Sequence, residues 1–98
     1  KLINLMNKKS YQKLNMEIEV LFFASYREKA GVKSYFFEIS AGSNLKELIY
    51  KIVQKFPKLH SDPTKIVAAI NEEFSDQSQI LCEGDIVALI PPVSGGSK

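Results

Sequence analysis

The chain has 98 residues, enough for one domain with a single well-filled core. Its 45% hydrophobic and 24% charged residues are typical of a globular protein, and no apolar run approaches the ~20 residues of a membrane-spanning helix. The single cysteine, Cys82, excludes an internal disulfide framework and a cysteine-rich zinc site, and it fits a reducing compartment such as the cytoplasm.

The net charge of +2 is unevenly distributed along the chain. The segment before Met16 contains Lys1, Lys8, Lys9 and Lys13 and no acidic residue. The remainder therefore has 9 basic and 11 acidic residues, a net charge of −2, which argues against nucleic-acid binding. We expect residues 1–15 to be a basic extension, disordered or non-native, because they lack the arginines and cleavage pattern of a targeting signal.

A first strand is predicted over residues 17–23, where apolar and polar side chains alternate. One face of this strand has Ile18, Val20 and Phe22. Leu21 and Phe23 make the second face apolar as well, which predicts a central strand covered on both sides.

Residues 24–30 predict a short helical turn with Gly31 as its C-cap. Residues 34–39 alternate again and predict a second strand, antiparallel to the first. One face of it has Tyr35, Phe37 and Ile39. Phe36 therefore lies on the other face with Leu21 and Phe23. We expect most of these side chains to belong to the core, and the alternative for part of this face is a surface for docking a partner.

One long helix follows the second strand. Asn44 with Glu47 three residues later is the pattern of a capping box, and Pro57 ends the helix. The apolar stripe at helical spacing comprises Leu45, Leu48, Ile49, Ile52 and Phe56.

Three more strands are predicted: residues 65–70, a short edge strand after the turn that begins at Asn71, and residues 85–90. The last is apolar enough to lie inside a sheet. This order of elements predicts an α+β fold in which one main helix packs on one face of a mixed sheet, the β-grasp or ubiquitin-like architecture. The domain would span residues 16–93, followed by a flexible tail over residues 94–98.

The C-terminal segment is the most informative feature for function. Pro91 and Pro92 end the last strand, because proline cannot donate a ladder hydrogen bond. Gly95 and Gly96 then leave a backbone without side chains, thin enough to thread into the active site of a partner. The alternative is an ordinary disordered chain end.

Three stretches share their pattern with one family. They are residues 20–31, residues 67–72 and residues 81–96, in which a Gly-Asp turn, an apolar strand, Pro-Pro-Val and Gly-Gly follow one another. Together they resemble the small subunit of molybdopterin synthase, the MoaD family of ubiquitin-like sulfur carriers. The resemblance covers residues 16–96, and the third stretch is the most specific.

The resemblance implies a sulfur carrier that is no enzyme on its own but one subunit of a heteromeric transferase. A ubiquitin-activating-type adenylyltransferase would use ATP to join the Gly96 carboxylate to AMP, and the product would be converted to a thiocarboxylate. The large subunit of molybdopterin synthase, in a heterotetramer, would then receive the tail. There sulfur would pass to cyclic pyranopterin monophosphate in molybdenum cofactor biosynthesis. No bound cofactor, metal, nucleic acid or membrane is implied.

The same resemblance implies roles for the residues before the carrier glycine. Gly95 and Ser94 would form the threading segment. Partner docking is expected at Val93, Pro92, Pro91 and Phe23.

The sequence departs from the family pattern at its end, where Ser97 and Lys98 follow Gly96. They lock the Gly96 carboxylate in a peptide bond, so it cannot be adenylylated. Proteolytic trimming, cleavage from a fusion with the large subunit, or an artificial extension would each explain the two residues.

Other reactive side chains have structural interpretations. We expect Cys82 to be a semi-buried thiol and His60 a solvated loop residue, because no spacing suggests a nucleophile–base pair. Glu83 and Asp85 flank Gly84 and are typical of a turn.

Two alternatives stay open. A thiamine-pathway sulfur carrier or a ubiquitin-like modifier shares the Gly-Gly chemistry, although the Pro-Pro-Val run favours the molybdopterin assignment. A non-catalytic β-grasp interaction domain is the alternative of another class, and Ser97 with Lys98 favours it.

Overall fold

The computed structural model describes residues 14–92. Its elements, in chain order, are β1 (Asn15–Phe22), α1 (Ala24–Ala30), β2 (Ser34–Ser40), α2 (Leu45–Lys55), a 3-10 turn (Pro63–Lys65), β3 (Val67–Ile70), β4 (Glu73–Ser75) and β5 (Ile86–Ile90). The element types predicted from the sequence are confirmed. The third strand begins at Val67 because the 3-10 turn occupies the residues before it. Most of the predicted basic extension, and the tail from Val93 onward, lie outside the described residues.

The five strands form one mixed sheet in the order β2-β1-β5-β3-β4. β1 pairs antiparallel with β2 and parallel with β5, and β5 pairs antiparallel with β3. The last strand of the chain therefore lies in the middle of the sheet, as its apolar sequence predicted. A single main helix against such a sheet is the β-grasp architecture, which confirms the predicted fold class.

Helix α2 packs one apolar stripe against one face of this sheet. Its buried side chains are Leu45, Leu48, Ile49 and Ile52. The sheet side chains in the same core include Ile18, Val20, Phe22, Val87 and Leu89, all without solvent exposure. Phe56, the residue after the helix, closes one end of the core, with its ring centroid 5.3 Å from that of Phe22 in an edge-to-face arrangement.

The prediction that both faces of β1 are covered is wrong. Within residues 14–92, α2 covers only one face, and the opposite face, called here the open face, is left with large exposed side chains. These are Phe36, Val67, Phe74 and Ile86, whose exposed fractions are 56%, 50%, 73% and 41%. Apolar residues on a strand predict a face suited to burial but do not show whether the chain itself covers it. No helix among the described residues is long and apolar enough to cross a membrane.

Both ends of α2 have the predicted signals: a capping box begins the helix, and Pro57 follows its C-cap residue Phe56. The Asn44 side chain accepts a hydrogen bond from the Glu47 amide, and the Glu47 carboxylate accepts one from the Asn44 amide, each at 2.9 Å. The helix start is also joined to the segment before β5, because the Leu45 amide donates to the Gln79 carbonyl and the Leu81 amide to the Ser43 carbonyl, each at 2.9 Å. These bonds fix α2 against the sheet.

Asn44→Ala tests the capping box. Loss of the bond from the Glu47 amide to the Asn44 side chain should reduce the free energy of unfolding by about 1 kcal/mol, which lowers the melting temperature by about 4–8 °C for a domain of this size. Lys51→Ala, at an exposed helix position, is the control and should change stability by less than about 0.5 kcal/mol. Equal melting temperatures for the two variants would contradict the role of the cap.

Candidate functional site

The chain leaves the sheet at the end of its central strand. The last ladder pair of β5 joins Ile90 to Val67 of β3. Pro91, half-buried, and Pro92, exposed, follow and end the pairing. The sequence-predicted tail residues Val93, Ser94, Gly95 and Gly96 lie outside the described residues. The structure therefore positions the root of the tail, at one end of the sheet and near its middle.

The start of β5 is fixed by a short polar network. The Asn71 side-chain amide donates to Asp85 Oδ1 at 2.9 Å, and Asn71 Oδ1 accepts from the Ile86 amide at 3.0 Å. The second carboxylate oxygen of Asp85 accepts from the Cys82 amide at 2.8 Å. Asp85 thus closes the turn before β5, which confirms its predicted turn role, while Asn71 ties that turn to the β3–β4 connection.

The turn at Asn71 was expected from the sequence, but the link of its side chain to Asp85 and Ile86 was not. Asn71 and Glu72 form the two-residue connection between β3 and β4, with φ angles of +51° and +74°. A two-residue hairpin of this type needs positive φ at both positions, which asparagine tolerates better than most residues. Asparagine between two apolar β segments was the available signal.

A groove of about 420 Å³ lies beside the root of the tail. Its walls are formed by His60, Lys65, Val67, Ile90, Pro91 and Pro92. His60 lies in a loop as predicted, but it is half-buried rather than fully solvated, and its Nδ1 accepts a hydrogen bond from the Asp62 amide at 3.0 Å. The groove is chiefly apolar, so it is suited to bind an apolar side chain of a partner protein that contacts the root of the tail.

Asp62 stabilises the loop that forms one wall of this groove. Its carboxylate accepts hydrogen bonds from the Thr64 hydroxyl at 2.6 Å and the Thr64 amide at 3.0 Å, which caps the 3-10 turn. These two bonds, the hydroxyl first, hold the pKa of the Asp62 carboxyl below its ordinary value. Hydrogen bonds within the loop therefore hold this wall of the groove in its conformation.

The open face provides a second apolar surface. In one row across the sheet, Phe36 of β2 and Ile86 of β5 both lie opposite Glu19 of β1. In the next row, Leu21 lies opposite Ala88. Phe36 is exposed, so it belongs to the apolar surplus on this face rather than to the core, which was the default expectation. Phe23, just past β1, is 40% exposed at the start of α1.

The open face and the groove meet at the end of the sheet. Val67 and Ile90 are paired on adjacent strands, and both also line the groove beside Pro91. A partner that covers the open face is thereby brought to the point where the tail begins. The two surfaces form one continuous candidate docking site.

The prediction for Cys82 is wrong, because its thiol is exposed rather than semi-buried. Cys82 lies in the turn before β5, where its backbone is held by Asp85 and its side chain has no core to enter. Among residues 14–92, no group of three His, Cys, Asp or Glu side chains is arranged to hold a metal ion. The described residues form a candidate docking surface around Pro91 and Pro92.

Comparisons with known proteins agree with this arrangement. The ThiS family model matches residues 20–96. The molybdopterin synthase sulfur carrier subunit of Chlamydomonas reinhardtii is 41% identical over 83 residues, which is 83% of this chain and the whole of that protein. The protein of the same description from Homo sapiens is 34% identical and covers 82% of this chain and 94% of its own length.

Solved structures show the same fold. SAMP1 from Haloferax volcanii superposes with a TM-score of 0.74 at 27% identity and covers 82% of this chain and 99% of its own. Subunit 1 in the complex of subunits 1 and 2 of the molybdopterin-converting factor from Helicobacter pylori has a TM-score of 0.58 at 30% identity, over 83% of this chain and all of its own.

The family match extends from β1 through both glycines of the tail, and the relatives match over nearly their full length. The two relatives compared above are sulfur carrier subunits of molybdopterin synthase. This chain therefore belongs to the ThiS family.

Proposed function

We propose that this chain is the sulfur-carrier subunit of a molybdopterin synthase and donates sulfur from the thiocarboxylate of Gly96. The observation that carries the proposal is a family match that continues past the folded body to residue 96. The relatives named as molybdopterin synthase subunits, 34% and 41% identical over nearly their full length, support it.

The chemistry explains why the functional group is a main-chain carboxylate. A carboxylate is a poor acyl donor, so a ubiquitin-activating-type enzyme first transfers AMP from ATP to the Gly96 oxygen and releases pyrophosphate. A sulfide-level sulfur donor then displaces AMP, which breaks the carbon–oxygen bond and forms a carbon–sulfur bond. The thiocarboxylate sulfur is a nucleophile that displaces an oxygen substituent of cyclic pyranopterin monophosphate. Water then hydrolyses the bond between this sulfur and the Gly96 carbonyl carbon, which leaves the sulfur on the pterin and restores the Gly96 carboxylate without release of free sulfide.

In this proposal the folded body supplies position rather than acid or base groups. The strand pairs at Ile90 and the network at Asp85 hold both ends of β5. Pro91 and Pro92 stiffen the root of the tail, so less conformational entropy is lost when the tail docks. Holding the sulfur against its acceptor in a closed pocket converts a bimolecular reaction into an effectively unimolecular one.

The large subunit of the synthase is the proposed partner in a cytoplasmic heterotetramer. The solved complex of subunits 1 and 2 from Helicobacter pylori, whose subunit 1 has the fold of this chain, supports a two-subunit assembly. The open face and the groove at the tail root offer the contiguous apolar surface that such a partner requires.

A second candidate function is attachment to other proteins as a ubiquitin-like modifier. It is favoured by the likeness to SAMP1, whose full name is small archaeal modifier protein 1. Both functions use an activated Gly96 and differ in the group that attacks it. Conjugates to lysines of other proteins in a cell extract supplied with ATP and the activating enzyme would support the modifier.

The carrier chemistry is tested with a form that ends at Gly96. Incubated with ATP, the activating enzyme and a sulfur donor, this form should gain the mass difference between sulfur and oxygen, measured on the intact protein. The control is the chain that retains Ser97 and Lys98, which has no free Gly96 carboxylate and should keep its mass. An unchanged mass for both forms, beside an activating enzyme that is active on another carrier, contradicts the proposal.

Gly96→Ala in the same truncated form tests the need for a thin tail. The added methyl group displaces the reacting carbon in a narrow site, and a displacement of about 1 Å can lower the rate by roughly 100-fold. We therefore expect sulfur transfer to the large subunit's substrate to fall by about that factor, while the melting temperature is unchanged. Gln54→Ala, at an exposed position on α2, is the control. Normal transfer by Gly96→Ala would show that the site does not require glycine.

Phe36→Asp tests docking through the open face. A buried aromatic anchor at an interface commonly contributes 2 kcal/mol or more, so affinity for the large subunit should fall by roughly 30-fold, as measured by calorimetric titration. Tyr50→Asp is the matched control, because Tyr50 is 42% exposed on α2, which lies on the other side of the sheet. Equal affinities for the two variants would place the interface elsewhere.

A further inference from the structure

Strand β2 forms one margin of the sheet, and its outer edge has no strand partner among residues 14–92. All seven of its residues pair with β1 in one register, and neither a proline nor a bulge interrupts these pairs. The opposite margin is β4, which has only three residues. Short strands, prolines and bulges are the usual means that protect a sheet edge from further pairing. Of the two margins, β2 is therefore the one open to another strand.

The hydrogen-bond pattern shows which backbone groups of β2 point outward. Just beyond one end of the ladder, the Phe22 amide donates to the Lys33 carbonyl at 2.8 Å. Hydrogen-bonded and non-hydrogen-bonded pairs alternate along an antiparallel ladder. The odd-numbered residues of β2 are therefore bonded to β1, whereas the amide and carbonyl groups of Phe36 and Glu38 point away from it.

These outward groups in the middle of β2 have no backbone partner in the part of the chain that the structure describes. The end of the strand is different, because the Ser40 carbonyl accepts a hydrogen bond from the Ser43 amide at 3.1 Å. The stretch around Phe36 and Glu38 thus offers a donor and an acceptor at every second residue. This is the pattern with which an extended peptide is added to a sheet edge.

A groove of about 580 Å³ lies between this edge and α2. On its sheet side are Tyr35, Phe37 and Ile39, of which the last two belong to the core beneath α2. On its helix side are Lys51 and Lys55. Successive side chains of a strand point to opposite faces of the sheet. Every second side chain of a strand added to β2 would therefore enter the groove.

The helix side of the groove is cationic. Lys51 and Lys55 are one turn apart on the exposed surface of α2, and within residues 14–92 neither forms an ion pair. Lys55 Nζ lies 5.0 Å from the ring centroid of Tyr35, which places this charge beside the first half of β2. Glu38 also borders the groove, but it lies in the second half of β2 and accepts a hydrogen bond from the Asn15 side chain at 3.3 Å. A carboxylate of a bound chain is therefore favoured beside the two lysines.

We infer that this groove binds an extended, acidic peptide segment of a partner protein, which adds to the sheet as a further strand beside β2. The backbone of the peptide pairs with the outward groups of Phe36 and Glu38. Its apolar side chains enter the groove, and its carboxylates pair with Lys51 and Lys55. In this mode of recognition the main-chain hydrogen bonds supply affinity, and the side-chain contacts supply specificity.

The peptide site is separate from the root of the tail. The strands that border the tail root, β5 and β3, lie on the far side of β1 from the β2 edge. A partner that is bound through its peptide at β2 therefore leaves Pro91 and Pro92 accessible. The inference does not depend on the proposed sulfur chemistry, because it concerns only how the folded body is attached to a second protein.

A second copy of the chain is the rival occupant of the edge. Two β2 edges that pair antiparallel would be related by a two-fold axis perpendicular to the sheet, so both α2 helices would lie on the same side of the joined sheets. Lys51 and Lys55 of each copy would then face the same lysines of the other copy. Like charges in facing positions repel, whereas an acidic peptide is attracted by the same lysines. Charge complementarity therefore favours the peptide.

Amide hydrogen exchange tests the added strand, with the ¹⁵N-enriched full-length chain and a synthetic probe. The probe is a short peptide of alternating valine and threonine with aspartates at one end. Bound peptide should slow exchange of the outward amides of Phe36 and Glu38. The amides of Tyr35 and Phe37 are bonded to β1 and should exchange slowly with or without the peptide. No protection of the outward amides at millimolar peptide, or protection without this alternation, overturns the proposal.

Lys51→Glu combined with Lys55→Glu tests the assigned ion pairs. Reversal of both charges should weaken binding of the acidic peptide about tenfold, as measured by NMR titration. A peptide with lysines in place of the aspartates should bind this variant better than it binds the unchanged chain. The matched control, Lys46→Glu with Lys58→Glu, has the same change in net charge at exposed positions outside the groove and should retain the original affinity within about twofold. Equal affinities of the two double variants would overturn the assigned pairing.

Glu38→Pro tests the backbone pairing without a change at the lysines. The Glu38 amide points away from β1, so proline removes an outward donor and leaves the pairing of β1 with β2 intact. Peptide binding should be lost in a variant that still gives the amide spectrum of a folded chain. Glu38→Gln keeps the amide and should retain binding. Retained binding by folded Glu38→Pro would show that the peptide does not pair with this edge.

Sedimentation of the full-length chain separates the peptide from the rival occupant. We expect a monomer whose Phe36 and Glu38 amides exchange rapidly at every chain concentration. A dimer that dissociates when the acidic peptide is added, or protection of these two amides that increases with chain concentration, would assign the edge to a second copy and overturn the proposal.

Discussion

The pairing of β5 between β1 and β3 is the constraint on which the rest of the structure depends. β5 is parallel to β1 and antiparallel to β3, and the Asn71–Asp85 network holds its first residues in register. A slip of one residue would turn Val87 and Leu89 away from the helix and toward the open face. The same slip would displace Pro91 from its groove, so the core and the root of the tail are fixed by one set of backbone hydrogen bonds.

The division of the sheet into a covered face and an open face links stability to function. Burial of α2 against Val20, Val87 and their neighbours provides one well-filled core without using the opposite side chains. Phe36 and Ile86 are thus available for binding, and exchanging them for polar residues leaves the core untouched. An exposed apolar surface of this kind is the usual mark of a protein that acts in a complex.

Local signals in the sequence predicted the elements well, whereas long-range relations were only partly predictable. The capping box at Asn44 and the left-handed Gly31 involve neighbours within four residues, so their patterns appear directly in the chain. Exposure of Cys82 depends on which residues surround its turn, and the uncovered side of β1 depends on which face of the sheet α2 packs against. The Asn71 side chain is hydrogen-bonded to Asp85 and Ile86, which lie 14 and 15 positions later in the chain. No local sequence pattern encodes such a link.

The position of the candidate site follows from the same topology. A tail that left an edge strand would emerge at the margin of the molecule, whereas β5 delivers it beside Val67 and Ile90, where the open face meets the groove. A partner can therefore bind a broad apolar surface and the tail root at once. Because that surface is built by the sheet and not by the tail, the proposed function separates recognition from chemistry: partners would recognise the folded body, and the reaction would take place at Gly96.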